Sequence, residues 1–223
     1  MNIIEFKDIS KSFYKNGRRF DILSGLNFSV AENSTVLITG VNGAGKSTLL
    51  NILLSLVSPD SGKVFINEKS VEGLDSNEFN HLMNSFVGYV PQARYYVSSL
   101  SVLDNVCLPA FISGEDVSSD RAMALLDEFH ILHLKDMFPD SLSGGELKKM
   151  MIARALMNDA PVLVMDEPTS ELDVDATCDF IDIINSLKQK QKTIIIVSHD
   201  DKLLSVADEV YLLSDGNMIK KEL

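Results

Sequence analysis

The chain has little cysteine, no long hydrophobic run and no surplus of basic residues. Its two cysteines, Cys107 and Cys178, lie far apart in the sequence, which predicts neither a disulfide nor a cysteine metal site. No apolar run approaches the roughly 20 residues that cross a bilayer as a helix. Residues 1–6 show no basic region followed by an apolar core, so we expect no secretory signal and a cytoplasmic protein.

The charge balance is strongly acidic. With 20 Lys and Arg against 32 Asp and Glu, the formal net charge is −12. Surfaces that bind nucleic acid normally carry a basic face, and anionic lipid headgroups attract basic segments. We therefore expect no nucleic-acid partner and no direct lipid binding. Any role at a membrane would have to act through a protein partner.

Residues 40–47, with the sequence Gly-Val-Asn-Gly-Ala-Gly-Lys-Ser, match the phosphate-loop pattern G-x-x-x-x-G-K-[ST]. A strand-like apolar run at 35–39 precedes them, and residues 48–54 have the spacing of a buried helix. In this arrangement the loop N–H groups point into one concavity, and the helix adds the positive end of its dipole. A glycine-rich turn that merely carries a lysine would not need strand, loop and helix in register. We therefore predict a polyphosphate site.

Two side chains of this loop have specific predicted tasks. Lys46 would reach the β- and γ-phosphates of a nucleotide, and the Ser47 hydroxyl would be a ligand of Mg²⁺. The residues of this stretch predicted to contact the nucleotide are Asn42, Gly43, Gly45, Lys46, Ser47 and Thr48.

The order of the predicted elements indicates an α/β fold. The first third of the chain contains short strands, whereas residues from about 100 to 140 show helical spacing with their own apolar stripe. The last third alternates helices, predicted at 144–158, 174–189 and 200–206, with strands, predicted at 161–166, 193–197 and 209–213. This alternation predicts a largely parallel sheet covered on both faces. We interpret residues 1–223 as one domain in which a helical subdomain, about 93–141, is inserted into an α/β core.

Further candidate residues follow the predicted strands. Asp166 and Glu167 end one apolar strand, where Asp166 is suited to hold Mg²⁺ and Glu167 to polarise an attacking water as general base. His199 follows the next strand at the same sheet edge, which favours contact with the γ-phosphate. The amide of Gln92, at another strand end, would touch Mg²⁺ or the water. An exposed acidic turn and a structural histidine are the alternatives, and the neighbouring phosphate loop argues against both.

Several motifs together resemble one family. Residues 142–146, Leu-Ser-Gly-Gly-Glu, resemble the signature motif of ATP-binding cassette (ABC) transporters, and residues 148–156 resemble the helix that follows it. Residues 170–173, Ser-Glu-Leu-Asp, resemble the D-loop, Gln92 the Q-loop glutamine and His199 the switch histidine. These motifs occur in the family's order. The chain therefore resembles the nucleotide-binding subunit of an ABC transporter.

The resemblance implies a P-loop NTPase fold with a mainly parallel core sheet, an N-terminal antiparallel β subdomain and an inserted helical subdomain. It also implies an ATPase that forms a head-to-tail homodimer around two Mg²⁺-ATP and drives a separate integral-membrane permease at the inner face of the membrane. Ser143, Gly144 and Gly145 would then contact the γ-phosphate of ATP bound to the opposite copy. By themselves these three residues would indicate only a helix cap.

Three residues depart from the commonest family pattern. Glu146 replaces a frequent glutamine, Lys149 stands where arginine is usual, and Glu171 stands in the D-loop where a small residue is more common. None of these changes removes a catalytic group. Glu171 is a candidate for altering how hydrolysis is timed between the two copies.

The ring that stacks on adenine is either Phe13 or Tyr14. Phe13 occupies the place that the family predicts, and stacking requires only an exposed π-face, so Phe13 is preferred. Packing of both rings on the sheet is the alternative.

Residues 101–106, at their distance from Gln92, are similar to one branch of the family. That branch holds lipoprotein-releasing, macrolide-exporting and cell-division ATPases. An amino-acid importer ATPase is the alternative within transport, and a soluble ABC ATPase without a permease is the alternative outside it. A P-loop kinase or GTPase is disfavoured by the signature motif and by the lack of an Asn-Lys-x-Asp guanine motif.

Overall fold

The computed structural model describes residues 1–114 and 119–222. Residues 115–118, which belong to the predicted helical subdomain, and residue 223 lie outside this description. In chain order the elements are β1 (Asn2–Lys15), β2 (Arg18–Ala31), β3 (Thr35–Thr39), α1 (Lys46–Leu53), β4 (Ser61–Ile66), β5 (Lys69–Ser70), α2 (Ser76–Phe86), β6 (Val87–Val90), α3 (Val102–Ser113), α4 (Ser119–Glu128), α5 (Gly144–Ala155), β7 (Val162–Asp166), α6 (Val174–Gln189), β8 (Thr193–Val197), β9 (Glu209–Ser214) and β10 (Asn217–Lys221).

The strands form two sheets. An antiparallel four-stranded sheet has the order β2-β1-β4-β5. The core sheet has six strands in the order β10-β9-β3-β8-β7-β6, and all its neighbours are parallel except β9 and β10. The fold therefore confirms the antiparallel N-terminal sheet and the mainly parallel core that the resemblance implies.

Both faces of the core sheet are buried, and alternate residues of each strand serve different faces. In β8, Ile194 and Ile196 pack in a cluster with α3, α4, α5 and α6. Ile195 and Val197 pack in a second cluster with the antiparallel sheet and α1. Successive side chains of a strand point to opposite faces, which is why this strand is apolar throughout.

The helical part between β6 and β7 is attached to its own loop. The backbone N–H of Val102 donates to the carbonyl of Met137 (2.9 Å), and that of Leu103 donates to the carbonyl of Lys135 (3.0 Å). These bonds hold the start of α3 against the segment that leads to α5. The boundaries of about 93–141 stay a prediction. Within the described ranges, no helix is long and apolar enough to cross a membrane.

Some element bounds differ from the sequence expectation. The predicted helix at 174–189 and the strand at 193–197 match α6 and β8. The helix predicted at 144–158 ends earlier, because α5 stops at Ala155. The helix predicted at 200–206 is instead a short 3₁₀ helix, Asp201–Ser205.

Helix α2 is not among the elements predicted from the sequence. An apolar stripe at helical spacing is nevertheless present: Leu82 is buried, Met83 and Phe86 pack against the same cluster, and Phe79 completes the spacing. The start of the helix also carries a local signal. The Asp75 side chain accepts from the N–H of Glu78, and the Glu78 side chain accepts from the N–H of Asp75, which is a capping box.

Candidate nucleotide-binding site

The predicted residues meet at one cavity of about 450 Å³, a volume suited to a small-molecule ligand. It lies at the carboxyl end of the core strands, beside the β1–β2 hairpin. Among the residues that the structure describes, Ser143, Gly144 and Gly145 are not part of the lining of this cavity. The lining residues are Phe13, Ile22, Asn42, Gly43, Gly45, Lys46, Ser47, Thr48, Gln92, Asp166, Glu167 and His199.

The phosphate loop requires glycine at close approaches. Gly45 has φ of 103°, and a Cβ there would lie 2.8 Å from Ile22 Cγ2. A Cβ built on Gly40 would lie only 2.6 Å from the carbonyl oxygen of Leu213. Both contacts are too short for a side chain, so the loop packs directly on neighbouring strands. The result is a concave turn that leads into α1.

Lys46 is the buried cation of this loop. Its Nζ donates to the carbonyl of Gly40 (2.7 Å) and lies 3.4 Å from that of Val41. The residue is 8% exposed, so its ammonium is held inside the loop. This position suits it to attract phosphate oxygens.

Asp166 is the last residue of β7 and pairs in register with Val197 of β8. Burial raises the pKa of its carboxyl group, and the negative charge of Glu167 raises the pKa further. The positive charges of Lys46 and Lys148 act in the opposite direction. A cation next to the partly buried carboxylate of Asp166 would therefore stabilise its ionised form.

Glu167 is held in an unusual backbone conformation. Its φ is 42°, in the left-handed region that non-glycine residues seldom adopt, and such strain is concentrated at functional sites. Its N–H donates to the carbonyl of Val197 (2.8 Å), which keeps the turn against β8. The residue is 8% exposed.

The carboxylate of Glu167 is fixed by its neighbours after β8. Its Oε2 lies 2.9 Å from His199 Nδ1, and it accepts from the hydroxyl of Ser198 (3.1 Å) and the N–H of His199 (3.4 Å). Because Nδ1 faces Glu167, Nε2 is the ring nitrogen of His199 left for a ligand. Glu167 and His199 therefore form one polar unit at the cavity.

Sequence reasoning missed two residues of this site. Ser198 is fully buried and also accepts from the N–H of Asp200 (3.1 Å), so it orients the carboxylate of Glu167. Its position between β8 and His199 was the available signal. Ile22 lines the cavity, but the β1–β2 register shifts between Lys11 and Ser12, and no simple alternation predicts where Ile22 points.

The structure separates the two aromatic candidates. Phe13 lines the cavity and is partly exposed, in register opposite Phe20 on β2. Tyr14 is more exposed and is not among the residues around this cavity. This placement favours Phe13, and its stacking on adenine stays a prediction.

Ser143 caps α5. Its hydroxyl accepts from the N–H of Glu146 (3.3 Å), while the Glu146 carboxylate accepts from the hydroxyl (2.7 Å) and the N–H (2.8 Å) of Ser143. These bonds lower the pKa of Glu146, the hydroxyl having the larger effect. The glutamate in the signature thus completes a capping box at the start of α5, and Ser143 is exposed there.

Residues 23–170 match the family described as ABC transporter. The chain belongs to the ABC transporter family. It is 35% identical over 220 residues to the lipoprotein-releasing system ATP-binding protein LolD of Treponema denticola, with 97% of each chain covered. It is 34% identical over 219 residues to the macrolide export ATP-binding/permease protein MacB of Campylobacter fetus subsp. fetus, covering 97% of this chain and 34% of that protein.

A solved structure shares this fold along nearly the whole ABC cassette. It is the dimeric ATP-binding cassette MJ0796 in a post-hydrolysis state, bound to ADP and Pi. The TM-score is 0.90 at 28% identity, with 99% of this chain and 98% of that chain covered. The chain is therefore an ATP-binding and ATP-hydrolysing subunit of the ABC transporter type.

Asp166→Asn should make the nucleotide-free ABC ATPase more stable to heat at pH 7. The raised pKa in the fold means that the ionised carboxylate destabilises the fold above that pKa, and this effect is absent below the unfolded value of about 4. The gain in Tm should therefore shrink as the pH falls from above the raised pKa of Asp166 to below about 4. Thermal unfolding in EDTA at several pH values measures it.

The matched control is Asp127→Asn, because Asp127 is exposed on the surface. Its Tm should follow that of the wild type at every pH. A lower Tm for Asp166→Asn than for the wild type at pH 7 would contradict the account of Asp166.

Proposed function

We propose that two copies of this ABC ATPase close head-to-tail around two Mg²⁺-ATP and drive a separate membrane permease. One observation carries the proposal. The cavity of one chain gathers the phosphate loop, Asp166, Glu167 and His199, whereas the capped start of α5 at Ser143 lies outside it. A second copy, turned head-to-tail, would bring its α5 to the open side of the cavity.

The donor set of the cavity fits Mg²⁺. The Ser47 hydroxyl, the Gln92 amide oxygen and the Asp166 carboxylate are hard oxygen ligands, and all three residues line the cavity with Lys46. When bound, the ion would offset negative charge on the β- and γ-phosphates. Lys46 would place a fixed positive charge beside the same phosphates, and the loop N–H groups would orient the phosphates.

Hydrolysis would use Glu167 as the base. Its carboxylate would take a proton from the water that attacks the γ-phosphate, and its bonds to Ser198 and His199 would hold it in place. His199 would hold the γ-phosphate through Nε2. The N–H groups of Gly144 and Gly145 and the Ser143 hydroxyl of the second copy would complete the anion site.

The surface that follows Gln92 fits a permease. Tyr95, Val97, Met137 and Phe138 are exposed apolar residues there, and the hydroxyl of Tyr96 donates to the carboxylate of Asp140 (2.7 Å), which joins the two segments. Exposed apolar surface of this kind suits a protein partner. Because the segment begins at a residue of the cavity, a partner on it would sense the nucleotide.

The named relatives suggest the kind of permease. LolD is an ATP-binding protein of a lipoprotein-releasing system, and MacB combines ATP-binding and permease parts of a macrolide exporter. This chain corresponds to about a third of MacB. We place it accordingly with permeases of this branch, on the cytoplasmic face of the membrane.

Glu167→Gln should keep ATP affinity and lower the rate of ATP hydrolysis by at least 100-fold, because the amide keeps the shape and loses the base. ATP should therefore trap a dimer that the wild type forms only transiently. Turnover assays and size-exclusion chromatography with light scattering measure both effects. Hydrolysis at the wild-type rate would rule out Glu167 as the base.

A photo-crosslinker at Tyr95 or Val97 should capture an integral-membrane protein in cells, since both side chains lie on the exposed apolar surface. The matched control is Ile219, an exposed apolar residue on the edge strand β10, which should not give that product. Crosslinks from Tyr95 and Val97 to soluble proteins alone would instead favour a permease-free ABC ATPase.

A further inference from the structure

An ion pair joins two loops on the surface of the chain. Arg94 lies two residues after Gln92, and Glu171 lies between β7 and α6. The guanidinium donates from Nε (3.2 Å) and Nη2 (2.9 Å) to the same carboxylate oxygen of Glu171. Both side chains are more than half exposed.

This pair lies beside the start of α5. A Cβ built on Gly144 would be 3.6 Å from the backbone oxygen of Glu171 and 3.9 Å from Arg94 Nη2. In the head-to-tail arrangement, the N–H of Gly144 faces the ATP of the second copy. The pair therefore sets the local charge at the point where that γ-phosphate would arrive.

A buried cation lies in the same small cleft. Lys148, in α5, lines it together with Gln92, Arg94 and Glu171. Burial lowers the pKa of the Lys148 amine, the charge of Arg94 acts in the same direction, and the charges of Glu171 and Asp166 act against it. Charges on this face are therefore close enough to influence one another.

Stability does not explain the pair. Exposed ion pairs contribute about 0–1 kcal/mol to folding. Glu171 also has φ of 72°, in the left-handed region that favours glycine, so its backbone adds strain. Because the ion pair lies beside the start of α5, its charges should affect dimerisation more than they affect folding.

We infer that the Arg94–Glu171 ion pair is an electrostatic gate on ATP-driven dimerisation, and this inference rests on the proposed head-to-tail dimer. The Glu171 carboxylate competes with the γ-phosphate for the positive end of the α5 dipole. Arg94 neutralises that carboxylate and so permits docking. Both are positioning residues, because neither contacts the reacting atoms.

The two single substitutions should have opposite effects. Glu171→Gln removes the negative charge and leaves Arg94 cationic, so the dimer should form at about 3- to 10-fold lower ATP. Arg94→Gln leaves Glu171 uncompensated, so the dimer should need about 3- to 10-fold more ATP. The double variant should return to within about twofold of the parent, and high salt should shrink both shifts.

The experiment uses Glu167→Gln as the parent chain and measures the ATP concentration for half-maximal dimerisation by analytical ultracentrifugation. Lys190→Gln is the matched control. It removes a partly exposed ion pair of Lys190 with Glu128 (2.6 Å) at the other end of α6, and it should cause no shift. Thermal unfolding of every variant verifies that each is folded.

A shift to lower ATP for Glu171→Gln and to higher ATP for Arg94→Gln, cancelling in the double variant, supports the gate, and shifts of the reverse signs would overturn it. If the ion pair acted only by holding the two loops together, loss of either side chain would shift the ATP concentration for dimerisation in the same direction. Shifts in the same direction, or no shifts, would overturn the gate and leave the head-to-tail dimer standing. Failure of the Glu167→Gln parent to dimerise would overturn the head-to-tail proposal and the gate with it.

Discussion

Burial of both faces of the core sheet is the constraint on which the rest of the structure depends. Strands such as β7 and β8 are apolar along their length because one face packs on helices and the other on the antiparallel sheet. Polar groups can then be placed only at the strand ends. Since the strands are parallel, their carboxyl ends share one edge, and Asp166, Glu167 and His199 meet there with the phosphate loop.

Charge is held at that edge against the preference of the fold. Asp166 is partly buried beside another carboxylate, and Lys46 is buried on loop carbonyls. The left-handed backbone of Glu167 adds strain, and Ser198 fixes its carboxylate from a fully buried position. A nucleotide and its cation would offset the charges of this site, so binding them should stabilise the folded chain.

How much the sequence predicts depends on how local each signal is. The phosphate loop, the acidic end of β7 and the apolar strands are coded in short runs, so the fold and the gathering of these residues follow from the sequence. Helix α2 was within reach of the sequence, because Phe79, Leu82, Met83 and Phe86 stand at helical spacing. Ile22 escapes because the strand register shifts beside it.

Contacts between distant loops are the hardest to predict. The partners Arg94 and Glu171 are 77 residues apart, and no periodicity links two side chains on separate loops. The unusual glutamate in the D-loop marked the position without indicating its partner. Ser198 was within reach, because it stands between a predicted strand and His199. The roles of the cavity residues in catalysis stay predictions.

The central claim is that Ser143 of one chain completes the site of the other. Ser143→Arg in the Glu167→Gln chain should bind ATP as a monomer and fail to dimerise. An equal mixture with Lys46→Ala in the same background should regain ATP-dependent dimers, since one of their two sites then has both Lys46 and Ser143 intact. Sedimentation of the separate and mixed chains measures this. Dimerisation of the Ser143→Arg chain alone, at the ATP concentration that its parent needs, would contradict the account.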